Sequence, residues 1–281
     1  MLNALTIDVE DYFQVSAFES IVSRQDWSLY ECRVEPNTRL ILNILREAGV
    51  KATFFILGWV AEHFRSLVAE IAFEGHEIAS HGYAHQLIYN QSKDEFREDI
   101  EKSIDLLEGI TGEPVLGYRA PSYSITRNSW WALDVLIEAG LKYDSSIFPI
   151  HHDRYGIPDF PRFPHQIRDD FYEFPISTLK IGGMNFPMAG GGYFRLLPYP
   201  ITRWAINRIN DRERQPVIFY LHPWEFDPDQ PKQPIGGLSR FRHYVNLDKT
   251  EAKFRRLLED FQFAPVKEIL GIGDCGLRIG G

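Results

Sequence analysis

Short apolar runs alternate with segments of helical periodicity through the first two thirds of the chain, and this alternation constrains the fold more than any other feature. The run ALTIDV at residues 4–9 precedes a helical pattern over residues 38–48, and KATFFIL at residues 51–57 precedes one over residues 61–74. This order places successive strands parallel. Five further runs predict strands: HEIAS, VLGYRA, KYDSSI, EFPIST and VIFYLH. The sequence therefore predicts an α/β fold with a parallel sheet.

The rest of the chain has a different organisation. Residues 149–200 are rich in proline, glycine and aromatic residues with little helical period, which predicts an insertion of loops and irregular strands. Residues 227–281 are interpreted as a C-terminal extension, with an amphipathic helix over residues 249–261 and a frayed glycine-rich tail. We interpret residues 1–281 as one domain that carries these two additions.

Composition excludes several classes of protein. The formal charge of -9 and the lack of a basic run argue against a nucleic-acid partner. Cys32 and Cys275 are far apart in sequence, which disfavours a disulfide framework or a cysteine zinc site and fits a reducing compartment. The first residues do not resemble a signal peptide, and no apolar stretch approaches the roughly 18 residues of a membrane span. We therefore expect a soluble, cytoplasmic protein without an integral membrane segment.

The first strand ends in three carboxylates, Asp8, Glu10 and Asp11. Asp8 and Glu10 lie on the same side of an extended strand, so they repel each other unless a cation or a proton lies between them. This pairing suggests one metal ligand and one general base. The alternative interpretation is an exposed acidic strand end or a helix N-cap.

Two histidines, His81 and His85, follow the third predicted strand. On one helical turn, side chains four residues apart share a face, so both imidazoles can reach one ion. Surface histidines of a loop are the alternative.

Two other side chains follow predicted strands. His222 comes directly after VIFYL, where it could act as a general acid, although a structural role is the alternative. Arg119 precedes Pro121, which restricts the loop, so its guanidinium could orient a carboxylate; a structural ion pair is equally compatible.

Five motifs in order resemble the polysaccharide deacetylases of carbohydrate esterase family four, which share the NodB homology domain. They are TIDVED, SHGYAH, RAPSY, YDSS and LHP, and they span residues 5–225. The strings TIDVEDYFQV, HPWEFDPDQP and GLSRFRHYVNLD also resemble the exosortase-associated subgroup of bacterial exopolysaccharide loci, with its C-terminal extension. The resemblance implies a single catalytic domain, an irregular (β/α) barrel similar to a TIM barrel with about seven parallel strands.

The resemblance also implies a divalent metal ion held by His81, His85 and one carboxylate. Because the family's adjacent aspartates are replaced here by Asp-Val-Glu-Asp, the carboxylate is Glu10 or Asp11, and the strand geometry favours Glu10. Zinc suits two imidazoles and a carboxylate best, while cobalt, nickel and manganese also suit them.

The implied reaction is removal of N-acetyl groups from an amino sugar in a polysaccharide or its precursor. Asp8, oriented by Arg119, would act as the base, and His222, oriented by Asp144, would protonate the leaving amine. A backbone N–H near Ser122 would stabilise the oxyanion.

Substrate contacts and alternatives are also implied. Tyr12, Tyr123 and Trp224 are candidate sugar-stacking residues of the carbohydrate site. An allantoinase-like amidase acting on a non-sugar carbon–nitrogen bond is one alternative function, and a non-catalytic carbohydrate-binding relative is a second. The sequence leaves the oligomeric state open.

Overall fold

The computed structural model describes residues 1–152 and 154–272. In these ranges the strands are β1 (Leu2–Val9), β2 (Thr53–Ile56), β3 (Glu77–Ser80), β4 (Gly117–Tyr118), β5 (Tyr143–Asp144), β6 (His165–Arg168), β7 (Phe171–Glu173), β8 (Thr178–Ile181), β9 (Met184–Pro187), β10 (Ile218–Leu221) and β11 (Gln262–Ala264).

The helices of the same ranges are α1 (Val34–Ala48), α2 (Gly58–His63), α3 (Arg65–Phe73), α4 (Lys93–Thr111), α5 (Trp131–Glu138), α6 (Gly191–Leu196), α7 (Tyr199–Asn207), α8 (Gly237–Tyr244), α9 (Thr250–Asp260) and α10 (Val266–Leu270). Short 3₁₀ turns connect several of them, among them Pro121–Tyr123 and Pro223–Phe226. A π-helical turn, Arg208–Glu213, follows α7.

The main sheet has the strand order β10-β1-β2-β3-β4-β5-β7-β6, and β11 pairs with β1 beside this path. The seven strands from β10 to β7 are parallel, whereas β6 is antiparallel to β7. The prediction of an α/β fold with about seven parallel strands is confirmed. The sheet is a curled half-barrel. It stays open, because strand pairing within the described residues does not join the β7–β6 edge to β10.

The central strand β1 shows why the apolar runs become strands. Its residues 3–9 are all buried, and β2 and β10 flank it on either side. Parallel strands covered on both faces are typically near-continuous apolar runs, as ALTIDV is. The side chain of Asp8, near the end of this strand, therefore lies inside the molecule rather than at its surface.

Two helix ends show how local residues stop or start a helix. Helix α1 ends at Gly49, which has φ 66° and occupies the left-handed region that glycine tolerates. Helix α4 begins at Ser92, whose hydroxyl accepts from the Glu95 N–H while the Glu95 carboxylate accepts from the Ser92 N–H, a capping box.

The predicted loop insertion needs a correction. Residues 149–200 contain β7, which is a member of the main sheet, as well as α6 and the β8–β9 hairpin. The strand predicted at EFPIST, residues 173–178, overlaps β7 only at Glu173. The predicted C-terminal extension is also built into the core, since β11 pairs with β1.

The glycine-rich tail and Cys275 lie outside the described residues. Across the part of the chain that the structure describes, no helix has both the length and the apolarity needed to span a membrane.

Candidate functional site

One cavity of about 580 Å³ opens at the carboxyl ends of the parallel strands. Its wall contains Asp8 near the end of β1, Glu10 after β1, His81 after β3, Ser122 after β4 and His222 after β10. Because the strands are parallel, residues that lie far apart in the sequence meet at this edge, as in other β/α folds.

Glu10, His81 and His85 form a buried cluster whose possible ligand atoms all lie within 4.8 Å of one another. Glu10 Oε2 is 2.7 Å from His85 Nε2 and 4.0 Å from His81 Nε2. The Nδ1 of His81 lies 2.7 Å from the Arg119 carbonyl oxygen. A proton on that nitrogen leaves the Nε2 lone pair directed at the cluster, which is the arrangement of a metal-ligating histidine.

Burial and neighbouring charges shift the pKa values of this cluster. Burial would raise the pKa of Glu10, but His85, His222 and His81 outweigh burial and lower it to about 2. Burial lowers the pKa of His81 to about 4, so its ring is neutral at pH 7. An anionic carboxylate beside a neutral imidazole is the protonation state in which these groups bind a cation.

The loop of residues 81–85 is irregular, so the predicted helical turn is wrong. His85 has φ 49°, and the Asp99 carboxylate accepts from the N–H groups of Tyr83 (2.7 Å) and Ala84 (3.2 Å). Gly82 has φ 72°, and a Cβ there would lie 2.8 Å from Asp99 Oδ2. Glycine at this position therefore lets Asp99 on α4 shape the loop that brings both imidazoles to Glu10.

The predicted pairing of Asp8 with Arg119 is confirmed. The fully buried guanidinium donates from Nη1 to Asp8 Oδ1 (2.6 Å) and to Thr6 Oγ1 (2.7 Å), and from Nη2 to Ser145 Oγ (2.9 Å). These contacts hold Oδ1 and leave Asp8 Oδ2 free of the arginine, 3.9 Å from His222 Nε2.

Asp11 is not part of the cluster, so the alternative that it completes a metal site is wrong. Its carboxylate accepts from the backbone N–H groups of Tyr12 (2.8 Å), Arg33 (2.6 Å) and Val34 (2.8 Å). It therefore satisfies donors at the beginning of α1, the N-cap role that the sequence left open. In the turn after β1, Glu10 faces the cavity and Asp11 faces the helix.

Glu225, which the sequence analysis missed, holds His222. The carboxylate oxygen Oε1 lies 2.7 Å from His222 Nδ1 and accepts from the His222 N–H at 3.1 Å. Burial would lower the pKa of His222, but Glu225, Glu10 and Asp8 outweigh burial and raise it to about 9. The imidazolium is thus the stable form near neutral pH, in a position to donate a proton. The i, i+3 spacing in HPWE was the only sequence signal for this pair.

Because Glu225 holds the His222 ring, the prediction that Asp144 orients this histidine is wrong. Asp144 is fully buried outside the cavity lining, and it accepts from the hydroxyl of Ser146 (2.5 Å) and from its N–H (3.3 Å). It also lies beside the buried Glu173, and burial raises the pKa of both carboxyls. Asp144 therefore supports the loop after β5 rather than the imidazole.

The candidate sugar contacts divide into two groups. Ser122 and Tyr123 line the cavity, with φ 50° and 55°, which is uncommon for residues other than glycine. Tyr12 is buried in the core and packs edge-on against Phe13, so its prediction as a sugar contact is wrong.

Trp224 reaches the cavity, but only 6% of the residue is exposed. It stacks on His222 (5.2 Å between ring centroids) and on His243 (4.3 Å), and its Nε1 donates to Glu10 Oε1 at 3.1 Å. The predicted stacking of a sugar on this ring is therefore wrong. Trp224 instead connects the imidazole of His222 to the metal-ligand cluster.

The cluster fits a divalent cation. Glu10 Oε2 is a buried oxygen without a hydrogen bond of normal geometry, and it lies between two imidazole nitrogens. Two nitrogens and one carboxylate oxygen are the donor types that zinc binds in open catalytic sites, and the cavity supplies the open side.

Comparisons with known proteins agree with this geometry. Residues 27–143 match the family described as polysaccharide deacetylase, and residues 145–271 match a domain of unknown function, DUF3473. Strands from both segments, together with β1, form the one main sheet. The narrower likeness to exosortase-associated proteins stays a prediction.

Two curated relatives and one solved structure are among the proteins similar to this chain. A peptidoglycan-N-acetylglucosamine deacetylase from Bacillus cereus is 39% identical over 98 residues, which are 34% of this chain and 36% of the relative. A chitooligosaccharide deacetylase from Azorhizobium caulinodans is 32% identical over 85 residues, 30% of this chain and 40% of the relative. The chain thus spans well under half the length of these relatives.

The solved structure is a Mycobacterium smegmatis protein described as a candidate polysaccharide deacetylase. It superimposes with a TM-score of 0.57 at 22% identity, over 100% of this chain and 94% of that one. This likeness supports the half-barrel fold, and the chemistry of the site depends on the residues described above.

Proposed function

We propose that the chain is a metal-dependent hydrolase that removes N-acetyl groups from an amino sugar, since its residues 27–143 match the polysaccharide deacetylase family. The observation that carries the proposal is the meeting of three units on one cavity wall. They are the Glu10–His81–His85 cluster, the Asp8–Arg119 pair and the His222–Glu225 pair.

Glu10, His81 and His85 would hold the divalent ion, with zinc as the first choice. Such an ion supplies Lewis-acid polarisation of a carbonyl and a more acidic water. The side chains around it then carry the proton transfers.

Asp8 serves as the general base. Arg119 holds Asp8 Oδ1, so Oδ2 takes the proton of the water that attacks the acetyl carbonyl carbon. Ser122, in its left-handed conformation on the cavity wall, presents its backbone N–H to the oxyanion that forms.

His222 serves as the general acid. Its Nε2 lies 3.9 Å from Asp8 Oδ2 and 3.7 Å from Glu10 Oε1, so it is on the side of the cluster where the leaving nitrogen departs. The imidazolium gives its proton to that nitrogen as the carbon–nitrogen bond breaks, and acetate and the free amino sugar are the products.

The relatives support a proposal for the substrate class. The names of the two curated relatives specify peptidoglycan N-acetylglucosamine and chitooligosaccharides, and both of these saccharides contain N-acetylated amino sugars. We propose a saccharide of this class, in a bacterial exopolysaccharide or its precursor, as the substrate.

The test is acetate release from N-acetylglucosamine oligosaccharides by protein stripped with a chelator and resupplied with zinc, cobalt or manganese. We expect metal-restored release in the wild type. Asp8→Asn should lower the rate on the order of 10²–10⁴-fold while zinc stays bound, because it removes the base and no ligand.

Arg162→Lys is the matched control, since it alters an ion pair with Glu213 that does not line the cavity. Acetate release that survives complete removal of the metal, or an Asp8→Asn variant as fast as the control, contradicts the proposal.

A further inference from the structure

The orientation of His222 depends on one carboxylate. Glu225 Oε1 lies 2.7 Å from the ring Nδ1 and accepts from the backbone N–H of the same residue at 3.1 Å. The ring face stacks on Trp224 with 23° between the planes. Since ring and backbone are tied to one oxygen, the direction of Nε2 follows the position of Glu225.

Glu225 is in turn fixed by a buried arginine from a distant part of the chain. Its second oxygen, Oε2, accepts from Arg195 Nε at 2.6 Å, and the two side chains are 0% and 2% exposed. A buried pair of this kind depends on both members, because removing one leaves an uncompensated charge away from water. The residues lie 30 positions apart, so the tertiary structure makes this pair.

The remaining donors of this guanidinium bind the end of α8. They donate to the carbonyl oxygens of Arg242 (3.0 Å), His243 (2.7 Å) and Val245 (3.0 Å). The last carbonyl groups of a helix lack intrahelical partners and carry its negative end, so a buried cation there is doubly favourable. One planar side chain thus joins the α8 terminus to the carboxylate that holds His222.

The C-terminal region also holds the helix that carries this arginine. Lys253 Nζ on α9 donates to the carbonyl oxygens of Phe194 (3.1 Å), Arg195 (2.8 Å) and Leu197 (2.9 Å) at the end of α6. Asn246 Nδ2 donates to the same Arg195 carbonyl at 3.1 Å. Backbone and guanidinium of Arg195 are therefore both held by residues after 241.

We propose that Arg195 and Glu225 are positioning residues for His222, and that residues 242–245 act on the catalytic site through Arg195. Arg195, Arg242, His243 and Val245 also line the cavity. This inference rests on the proposed function. It assigns a role to the DUF3473 segment, which contains all of these residues. The segment provides the general acid His222 and the residues that position it. The Glu10–His81–His85 cluster and the Asp8–Arg119 pair provide the metal ligands and the general base.

The first test separates positioning of the acid from general damage. Departure of an amine needs a proton, whereas 4-nitrophenolate leaves without one, so only amide hydrolysis depends on His222. We expect Glu225→Gln and Arg195→Lys to lower kcat for an N-acetylated oligosaccharide on the order of 10–100-fold. KM, zinc content and the rate on 4-nitrophenyl acetate should stay within twofold.

Glu213→Gln and Arg162→Lys are matched controls, because they make the same changes in an ion pair outside the cavity. Both should retain the wild-type rate on both substrates. Equal losses on amide and ester in Glu225→Gln and Arg195→Lys, or unchanged amide turnover in both, would overturn the proposal.

The second test does not depend on turnover and so separates this inference from the proposed function. Hydrogen–deuterium exchange of the zinc-loaded protein should be faster in residues 237–245 and 222–226 of Arg195→Lys, since lysine keeps the charge but lacks the fork that spans three carbonyls. Unchanged protection from exchange in both segments overturns the proposed link from α8 through Arg195 to His222. Absence of acetate release from the wild type overturns the proposed function alone.

Discussion

Asp11→Ala should destabilise the fold and leave the metal site intact. The carboxylate is fully buried and accepts from the N–H groups of Tyr12, Arg33 and Val34. Loss of a capping residue costs about 0.5–2 kcal/mol, and each buried donor left without a partner costs about 1–3 kcal/mol. Because the donors share one cap and water can partly replace it, we expect the free energy of unfolding to fall by roughly 3–5 kcal/mol.

The assay is urea unfolding of the chelator-stripped protein together with zinc content after dialysis against zinc. Glu10→Gln is the matched comparison, since it changes the neighbouring carboxylate that lies in the cluster. It should lose zinc with a smaller change in the free energy of unfolding. A free energy of unfolding equal to that of the wild type would refute the capping role of Asp11. A folded Asp11→Ala variant that binds no zinc would refute its separation from the metal site.

Three further outcomes are expected. Gly82→Ala should lower stability by about 1–3 kcal/mol and weaken zinc binding, because it strains a φ of 72° and crowds Asp99 at 2.8 Å; wild-type values in urea unfolding and zinc titration would contradict this. Burial lowers the pKa of His76 from 6.5 to about 4, and its Nδ1 accepts from the Ala52 N–H. The unfolded chain therefore binds an extra proton between these pH values, and about 3 kcal/mol of stability, complete above pH 6.5, is lost as the pH falls to 4. Over the same pH range, the free energy of unfolding of His76→Gln, measured in urea, should fall by about 3 kcal/mol less than that of the wild type. Asp144→Asn should keep kcat for acetate release within twofold, since this carboxyl binds the Ser146 hydroxyl and not the imidazole acid; a 100-fold loss would restore the role implied by the sequence.

The parts of the site that follow strand ends were predictable. Asp8, Arg119 and His222 each follow an apolar run, and parallel strands bring such positions to one edge whatever their separation in sequence. The pairing of Asp8 with Arg119 needed only this rule and the attraction of opposite charges.

Contacts made by side chains after the strand ends were not predictable in the same way. The orientation of His222 was assigned to Asp144, because the motif order gives no distances, whereas Glu225 lies within one turn of the imidazole. Trp224 was predicted to stack on a sugar because no local pattern shows that His243, 19 residues later, stacks on its ring.

The sequence by itself determined the order of strands and helices, the burial of β1 and the residue types that can bind a cation, since hydrophobic periodicity and side-chain chemistry are local properties. The tertiary structure decided which carboxylate faces the cavity, how the loop of residues 81–85 bends and how Arg195 joins α8 to Glu225. Each of these depends on donors and acceptors that meet only after the sheet has curled, because a buried polar group takes the partner that folding brings within reach.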